Sequence, residues 1–262
     1  MICLKNERLE AQIASPKELY NATRFDGAGI VRQITLDGKY TFLSEESATM
    51  TAMKNGGIGI TGSFEPAPAV FLQDVAYTVE QPSETEVFFK GKTDKVLCIK
   101  KLSLKENMLE LTHTVQNIGQ ESVSFGEYNH NFMLIDKYPY GPEYTLRFLF
   151  TPQLTERKEG YYNRFNLQGR TLKVTEPFGE PPEDALTQIT GFAEQVLPWT
   201  WELMHMPSGL YVREADDFPI WKYQLWCRRD NVCSEIFFKQ KLEAGEAATW
   251  RRVYTFGKTQ EE

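Results

Sequence analysis

Apolar and polar positions alternate along much of the chain, and this period of two is typical of half-buried β-strands. The clearest case runs from Asn107 to Asn117, where Leu109, Leu111, His113 and Val115 share one face and polar residues occupy the other. Because His113 shares its face with three aliphatic residues, we predict that it lies in the core or at its rim.

Turn signals separate further strand-like segments. Asp37-Gly38 favours a tight primed turn and predicts a hairpin within residues 29–45. Other predicted strands cover residues 74–80 and 84–90 on either side of a turn at 81–83, and then 95–104, 121–128, 144–150, 188–206, 209–214, 219–227, 233–239 and 247–256. Helical periodicity is scarce, with one short turn considered at Pro181 to Leu186. The segment from Thr151 to Asp184 is interpreted as a long loop that crosses the sheet. The pattern predicts an all-β sandwich or barrel with few or no helices, and residues 1–262 are expected to form a single domain.

Composition narrows the class of function. The 262 residues carry a formal net charge of −7, which argues against a nucleic-acid partner and favours small-molecule chemistry. The N-terminus does not resemble a signal peptide, and no apolar run is long enough for a membrane helix. Four scattered cysteines without a C-x-x-C pair predict mostly buried, reduced thiols in a cytoplasmic protein and no metal site.

Two residues are the best candidate proton carriers. His130 alternates with Tyr128 and Phe132, which is the usual setting of a structural histidine, but the flanking Asn129 and Asn131 are poor strand formers and suggest a polar layer.

Glu235 lies in the largely apolar segment Val232 to Phe238, where a carboxylate is costly unless it is paired or lies in a cleft. Desolvation there would raise its pKa and suit it to proton transfer. The alternative is a structural ion pair with an arginine such as Arg228, Arg229 or Arg252.

Aromatic residues are candidates for stacking against sugar rings. Trp199, Trp201, Leu203 and His205 alternate on one face, and we count Trp201 and Trp221 among the predicted substrate-binding residues, although many aromatic side chains must fill the core. A glycine-rich segment at residues 56–62 lacks the features of a phosphate-binding Walker loop and is interpreted as a loop at the edge of the cleft, with Glu65 at its end included as a predicted ligand.

Three motifs, in this order, resemble the galactose-mutarotase (aldose 1-epimerase-like) superfamily. The first is Thr114-Val-Gln-Asn-Ile-Gly119 followed by Tyr-Asn-His-Asn-Phe132. The second is Pro207-Ser-Gly-Leu-Tyr-Val212. The third is Val232-Cys-Ser-Glu235 followed by Leu242-Glu-Ala-Gly-Glu246. Each motif is moderately specific, and their order and spacing extend the resemblance over roughly residues 25–256.

The resemblance implies a large antiparallel β-supersandwich and an enzyme that interconverts the anomers of a sugar. In this scheme His130 protonates the ring oxygen and Glu235 takes the proton of the anomeric hydroxyl, so that neither a metal nor an organic cofactor is needed. The implied partner is a small-molecule carbohydrate, with neither nucleic acid nor membrane involved. We also considered a homodimer.

The chain departs from the family pattern at the substrate ligands. Typical members carry a second histidine in an Asn-x-x-His-Gly stretch, and the corresponding region, residues 55–65, has none. Lys54 or Arg24 could replace the family's arginine, and Glu202 could replace an aspartate that binds sugar hydroxyls. Together with Asn129, these residues complete the predicted substrate-binding set. The identity of the sugar stays open.

Two other functions compete with epimerisation: a non-catalytic carbohydrate-binding protein and a glycan-cleaving enzyme, both on the same sandwich. Fold alone does not separate them. A phosphorylated sugar would require a basic cluster, and Arg164 and Arg170 are the only hint of one in the sequence.

Overall fold

The computed structural model describes residues 1–18, 26–44, 60–63, 75–156, 164–180 and 183–259. Within these ranges the chain is almost entirely β, and the only helical element is a 3-10 turn at Ile135–Lys137. The strands are β1 Ile2–Lys5, β2 Leu9–Ile13, β3 Val31–Leu36, β4 Tyr40–Thr41, β5 Ile60–Ser63, β6 Thr78–Ser83, β7 Glu86–Lys92, β8 Val96–Lys105, β9 Met108–Asn117, β10 Val123–His130, β11 Tyr144–Phe148, β12 Gln153–Glu156, β13 Phe165–Gln168, β14 Thr171–Val174, β15 Ala185–Thr190, β16 Trp201–His205, β17 Leu210–Asp216, β18 Lys222–Arg228, β19 Asn231–Leu242 and β20 Ala247–Lys258. The predicted all-β class is confirmed.

The strands form three antiparallel sheets. A ten-stranded sheet has the order β13-β14-β11-β16-β17-β20-β9-β8-β7-β6, and a six-stranded sheet has the order β12-β15-β18-β19-β10-β5. A smaller sheet, β1-β2-β3-β4, is formed by the N-terminal strands. The architecture is therefore a large antiparallel supersandwich, as expected.

The two larger sheets pack face to face. Their side chains meet in the interior, where the rings of Phe238 on β19 and Trp250 on β20 lie 4.8 Å apart and those of Phe148 on β11 and Tyr223 on β18 lie 5.9 Å apart. A single buried apolar cluster extends from Leu4 near the N-terminus to Phe256 near the C-terminus. Burial of this apolar surface is the main force that holds the sheets together.

Several local predictions are confirmed. Asp37 and Gly38 have φ angles of 52° and 67°, the positive values that a primed hairpin turn between β3 and β4 requires. In β9 the buried positions are Leu109, Leu111, His113, Val115 and Asn117, so His113 lies in the core.

Three local predictions are wrong. The turn predicted at residues 81–83 lies later, because β6 continues through a register irregularity to Ser83. The segment from Thr151 to Asp184, which was predicted to be a long loop over the sheet, contains the strands β12, β13 and β14. The single strand predicted from Gln188 to Met206 is two strands in different sheets, β15 and β16. Pro198, which lies between them, cannot donate a ladder hydrogen bond.

Two further features concern the chain as a whole. Cys98, Cys227 and Cys233 are buried and Cys3 is exposed, and all four are free thiols, in line with the prediction. In the described ranges no helix is long and apolar enough to span a membrane.

Candidate active site

His130 and Glu235 are brought together by the pairing of β10 with β19. Tyr128 is in register with Phe237, and continuing this antiparallel register by two residues places His130 opposite Glu235. Side chains two positions apart on a strand share a face, so these four side chains point to the same side of the sheet. This side faces away from the ten-stranded sheet, and we call it the outer face.

The two side chains are in contact. The Nε2 atom of His130 lies 3.2 Å from the Oε1 atom of Glu235, within the distance over which a proton can be shared. On the next strand, the side-chain amide of Gln224 lies 3.3 Å from the Oε2 atom of Glu235 and donates to it. The side chains of His130 and Glu235 are 11% and 6% exposed, so the pair is largely but not completely shielded from solvent.

Aromatic rings fix the orientation of the imidazole. The ring of His130 stacks on Phe132 with centroids 4.4 Å apart and an interplanar angle of 15°. The edge of Trp226 approaches it at 5.7 Å. The indole N–H of Trp226 donates to the buried carboxylate of Asp184 at 3.0 Å, which anchors the ring. The imidazole therefore has little freedom to rotate away from Glu235.

The apolar surroundings of the pair form a separate cluster, distinct from the core between the sheets. We call it the outer-face cluster; its buried members are Ala14, Ile30, Tyr128, Phe132, Trp226, Cys233 and Phe237, with Leu186 and Trp221 packed against it. Tyr128 stacks on Phe237 with ring centroids 4.3 Å apart. Buried aromatic side chains therefore lie directly beside the His130–Glu235 pair.

The opposite face of the same strands carries a buried polar network centred on Arg252 of β20. Its guanidinium donates to Glu127 at 2.7 Å, Asp216 at 3.1 Å and Glu214 at 3.3 Å. It also donates to the carbonyl of Ile236, the residue after Glu235 in β19, at 3.1 Å.

Burial strongly affects the charges in this network. Burial, and secondarily the neighbouring Asp216, raises the pKa of Glu214 well above its usual value, which favours the protonated acid. Burial alone would lower the pKa of Arg252, but the surrounding carboxylates raise it overall, so the guanidinium stays charged.

Asn129 does not lie beside the pair. It is fully buried on the interior face, and its side-chain amide donates to the hydroxyl of Tyr254 at 3.3 Å. Neighbouring side chains on a strand point to opposite faces, so Asn129 and His130 cannot both reach a ligand on the outer face. The substrate-binding role predicted for Asn129 is corrected to a structural one.

Trp201 and Glu202 also lie elsewhere. Trp201 is fully buried in the core between the sheets. Glu202 is in β16 of the ten-stranded sheet and forms ion pairs with Arg147 at 3.1 Å and with Arg213. The structure therefore corrects both predicted substrate contacts. Of the three predicted aromatic and acidic ligands that lie within the described ranges, Trp221 alone packs against the outer-face cluster.

Three predicted ligands, Arg24, Lys54 and Glu65, lie outside the described residues, as does most of the glycine-rich segment. The backbone of β5 includes the last residues of that segment and pairs with β10, with Ile60 in register with His130. The end of the glycine-rich region is therefore next to the strand that carries the candidate acid.

The arginines that were considered as partners of Glu235 have other partners. Arg252 belongs to the interior network, Arg228 pairs with Asp230, and Arg229 pairs with Glu180. The structural ion pair that competed with a catalytic role for Glu235 is not formed by any of the three.

The other two histidines have structural settings. Burial lowers the pKa of His113 well below its usual value, and its ring contacts Trp250 at 5.4 Å. The ring of His205 stacks on Tyr138 at 4.1 Å, and its Nδ1 atom lies 2.9 Å from the Ser208 hydroxyl. Burial also lowers the pKa of His205.

Gln224, Trp226 and Asp184 were missed by sequence reasoning. The alternation of Lys222, Gln224 and Trp226 in β18 is visible in the sequence and could have placed them on one face. Only the pairing of Gln224 with Glu235 on the neighbouring strand shows that these side chains lie on the outer face, beside the candidate acid–base pair. Among the described residues, no group of three or more His, Cys, Asp and Glu side chains is arranged to hold a metal ion.

Comparisons with known proteins define the fold. No family model and no curated protein matches the sequence. Solved structures do match. A galactose mutarotase related enzyme from Lactobacillus acidophilus has 12% identity and a TM-score of 0.69, with 99% of this chain and 98% of that chain covered.

Two further structures show the same likeness. A galactose mutarotase-like protein from Lactobacillus casei has 14% identity and a TM-score of 0.67, covering 98% of this chain and 100% of that one. An aldose epimerase homologue from C. elegans has 12% identity and a TM-score of 0.67, with 99% of both chains covered. The chain therefore has the galactose-mutarotase-like fold over nearly its whole length.

Proposed function

We propose that this protein is an aldose 1-epimerase-like isomerase that interconverts sugar anomers by acid–base catalysis. The observation that carries the proposal is the 3.2 Å contact between His130 Nε2 and Glu235 Oε1 on the outer face, beside aromatic surfaces. Two titratable groups that point at one another from neighbouring strands can exchange protons with two oxygens of one substrate.

The geometry suits the two oxygens of a cyclic hemiacetal. The ring oxygen and the anomeric hydroxyl are bonded to the same carbon, so a donor and an acceptor that serve them must lie close together. The 3.2 Å separation of the pair is shorter than the width of a sugar ring. A substrate would replace the direct contact with two hydrogen bonds, one from His130 to the ring oxygen and one from the hydroxyl to Glu235.

The reaction then needs only proton transfers between the sugar and the two side chains of the pair. Protonated His130 gives its proton to the ring oxygen while Glu235 takes the proton of the anomeric hydroxyl, and the bond between the anomeric carbon and the ring oxygen breaks. Rotation about the adjacent carbon–carbon bond turns the free aldehyde over. Ring closure reverses both proton transfers and yields the other anomer, so all atoms and charges balance. Gln224, which donates to the second oxygen of Glu235, orients the carboxylate as a positioning residue.

The same contact distinguishes this proposal from a non-catalytic carbohydrate-binding protein. A binding protein requires the aromatic surfaces but has no need of a carboxylate and an imidazole held together at the cost of desolvation. A glycan-cleaving enzyme would have to be tested with polymeric substrates.

The test is anomer exchange measured by magnetisation-transfer NMR on a panel of reducing sugars. Wild-type protein is expected to accelerate exchange above the spontaneous rate for at least one sugar, and His130→Asn and Glu235→Gln are expected to lose that acceleration. If wild type accelerates no sugar, the proposal fails. If both variants keep full activity, the site assignment fails.

A further inference from the structure

We propose that one water molecule is bound as a fixed part of the structure in a cavity between the two larger sheets. It joins His113 and Trp250 of the ten-stranded sheet to Glu127 of the six-stranded sheet. The cavity lies on the interior face of β10, whereas the candidate acid–base pair lies on the outer face, so this site is independent of the proposed function.

Three neighbouring strands of the ten-stranded sheet place polar side chains in one buried row. His113 of β9 is in register with Lys100 of β8 on one side and with Trp250 of β20 on the other. The three residues are 3%, 5% and 4% exposed for Lys100, His113 and Trp250. The ring of Trp250 contacts Phe238 of β19, so the row faces the six-stranded sheet.

Two members of this row lack a hydrogen-bond partner. Lys100 is satisfied, because its Nζ atom donates to the carbonyl of Ala28 at 2.6 Å and lies 3.2 Å from Asp26. By contrast, neither the Nε2 atom of His113 nor the indole N–H of Trp250 has a partner among the described residues. Buried polar atoms in folded proteins nearly always have a partner, either in the protein or in an ordered water molecule.

Glu127 supplies a third such atom from the opposite sheet. Its Oε2 atom accepts from the guanidinium of Arg252 at 2.7 Å, whereas its Oε1 atom has no partner in the part of the chain that the structure describes. Arg252 lies two positions after Trp250 in β20 and therefore shares its face. The ion pair with Arg252 thus holds the carboxyl group of Glu127 next to the polar row.

The same three residues line one cavity. His113, Trp250 and Glu127 are all in its wall, and the centre of a water molecule can occupy about 20 Å³ within it. About 10–15 Å³ on this measure is enough for one water molecule, and cavities with several polar groups in their walls hold water whereas apolar cavities stay dry. The space is therefore sufficient for a single water molecule and too small for a sugar.

The lining favours a neutral ligand that both donates and accepts hydrogen bonds. The indole of Trp250 can only donate. Burial, and secondarily the positive charges of Lys100 and Arg252, lowers the pKa of His113 well below its usual value, so its ring is neutral and has one nitrogen that accepts. The same positive charges disfavour a cation, and the carboxylate of Glu127 disfavours an anion. A water molecule can accept from Trp250 and donate to His113 and Glu127.

This water molecule would extend the interior polar network across both sheets. It connects His113 through Glu127 to Arg252, whose guanidinium also donates to the carbonyl of Ile236 at 3.1 Å. Ile236 follows Glu235 in β19. The water therefore links a polar group in the middle of the ten-stranded sheet to the backbone beside the candidate site.

NMR of the whole protein tests the site with two indole N–H groups. Trp201 is the internal control, because its indole nitrogen is also buried without a partner among the described residues, but Trp201 is not in the wall of this cavity. Trp250→Phe and Trp201→Phe assign the two indole signals. In wild type we expect a nuclear Overhauser effect between water and the indole proton of Trp250, and none for Trp201.

A high-resolution crystal structure of the wild type locates the ligand. We expect one peak of electron density within about 2.7–3.2 Å of the three unpartnered atoms of His113, Trp250 and Glu127, the usual range for a hydrogen bond. A bromide soak separates water from an anion, since bromide would replace an anion and give an anomalous signal. An anomalous peak in this cavity would overturn the assignment to water.

The variant His113→Phe removes one partner and fills part of the cavity. It should abolish the nuclear Overhauser effect at Trp250, whereas Trp201→Phe should leave that effect unchanged. An effect of wild-type strength in a folded His113→Phe variant would mean that the water is not held between these residues. Should that variant not fold, the wild-type measurements still decide: a cavity without density, no effect at Trp250, or equal effects at Trp250 and Trp201 would each overturn the proposal.

Discussion

The side-chain amide of Asn131 donates to the main-chain carbonyl of Ser234 at 3.1 Å and thereby joins the segment after His130 to the strand of Glu235 from the interior side. The same amide donates to Glu214 at 3.2 Å, and the Asn131 oxygen accepts from the Tyr254 hydroxyl at 3.1 Å. One buried side chain therefore connects the two strands of the candidate site to the opposite sheet.

Replacing Asn131 with alanine should lower the free energy of unfolding by about 1–3 kcal/mol, because it leaves buried hydrogen-bonding groups without a partner. Urea denaturation followed by tryptophan fluorescence measures this change. The matched control is Asn166→Ala, which removes an exposed asparagine from β13 and should change stability by less than about 0.5 kcal/mol. Equal effects of the two substitutions would contradict the structural role of Asn131.

Arg252 and Glu214 should respond very differently to substitution. Arg252→Met leaves several buried carboxyl groups without their cation and should cost about 3–5 kcal/mol of stability. Glu214→Gln keeps the size and most hydrogen-bonding capacity of a side chain whose raised pKa already favours the neutral form, so it should cost about 1 kcal/mol or less. Thermal and urea unfolding of both variants would test this contrast. An equally large loss in Glu214→Gln would mean that the glutamate is ionised in the folded protein.

Stability should fall in mild acid because of His113. Its pKa is lowered by burial in the folded state, so below a pH of about 6.5 the unfolded chain binds a proton that the folded chain does not. The contribution of this group is present above the unfolded pKa and is lost as the pH falls, by as much as about 1.4 kcal/mol per pH unit until the folded pKa is reached.

The comparison that isolates this effect is wild type against His113→Gln, measured by urea denaturation from pH 7.5 to 5. Other titrating groups are common to both proteins and cancel in the difference. The variant should be less stable at pH 7.5, and the deficit should shrink as the pH falls. A deficit that is constant across this range would show that His113 does not resist protonation.

Local patterns predicted much of the fold. The Asp37-Gly38 turn and the alternation of β9 depend on neighbouring residues alone, and both were predicted correctly. The division of residues 188–206 between two sheets was not predicted, since both of its strands, β15 and β16, have strand-like composition and only long-range pairing assigns them to different sheets.

The candidate site shows the same limit. Alternation placed Tyr128, His130 and Phe132 on one face, and the structure agrees. The asparagines beside His130 were taken as a polar layer at a binding cleft, but their polar partners are Glu214 and Tyr254, 83 and 123 positions away from Asn131. Polar residues that are satisfied by distant partners in an interior network cannot be distinguished by local sequence from those that face a ligand.

The measurement that tests the central claim most directly is a double-mutant cycle on anomer exchange, with His130→Asn, Glu235→Gln and the combined variant. Each single substitution should lower the rate about 10²–10⁴-fold, the usual contribution of general acid–base catalysis. Because the two groups act on one substrate as a unit, the combined variant should be about as slow as the slower single variant. Single variants with wild-type rates, or losses that multiply fully in the combined variant, would contradict a joint role for His130 and Glu235.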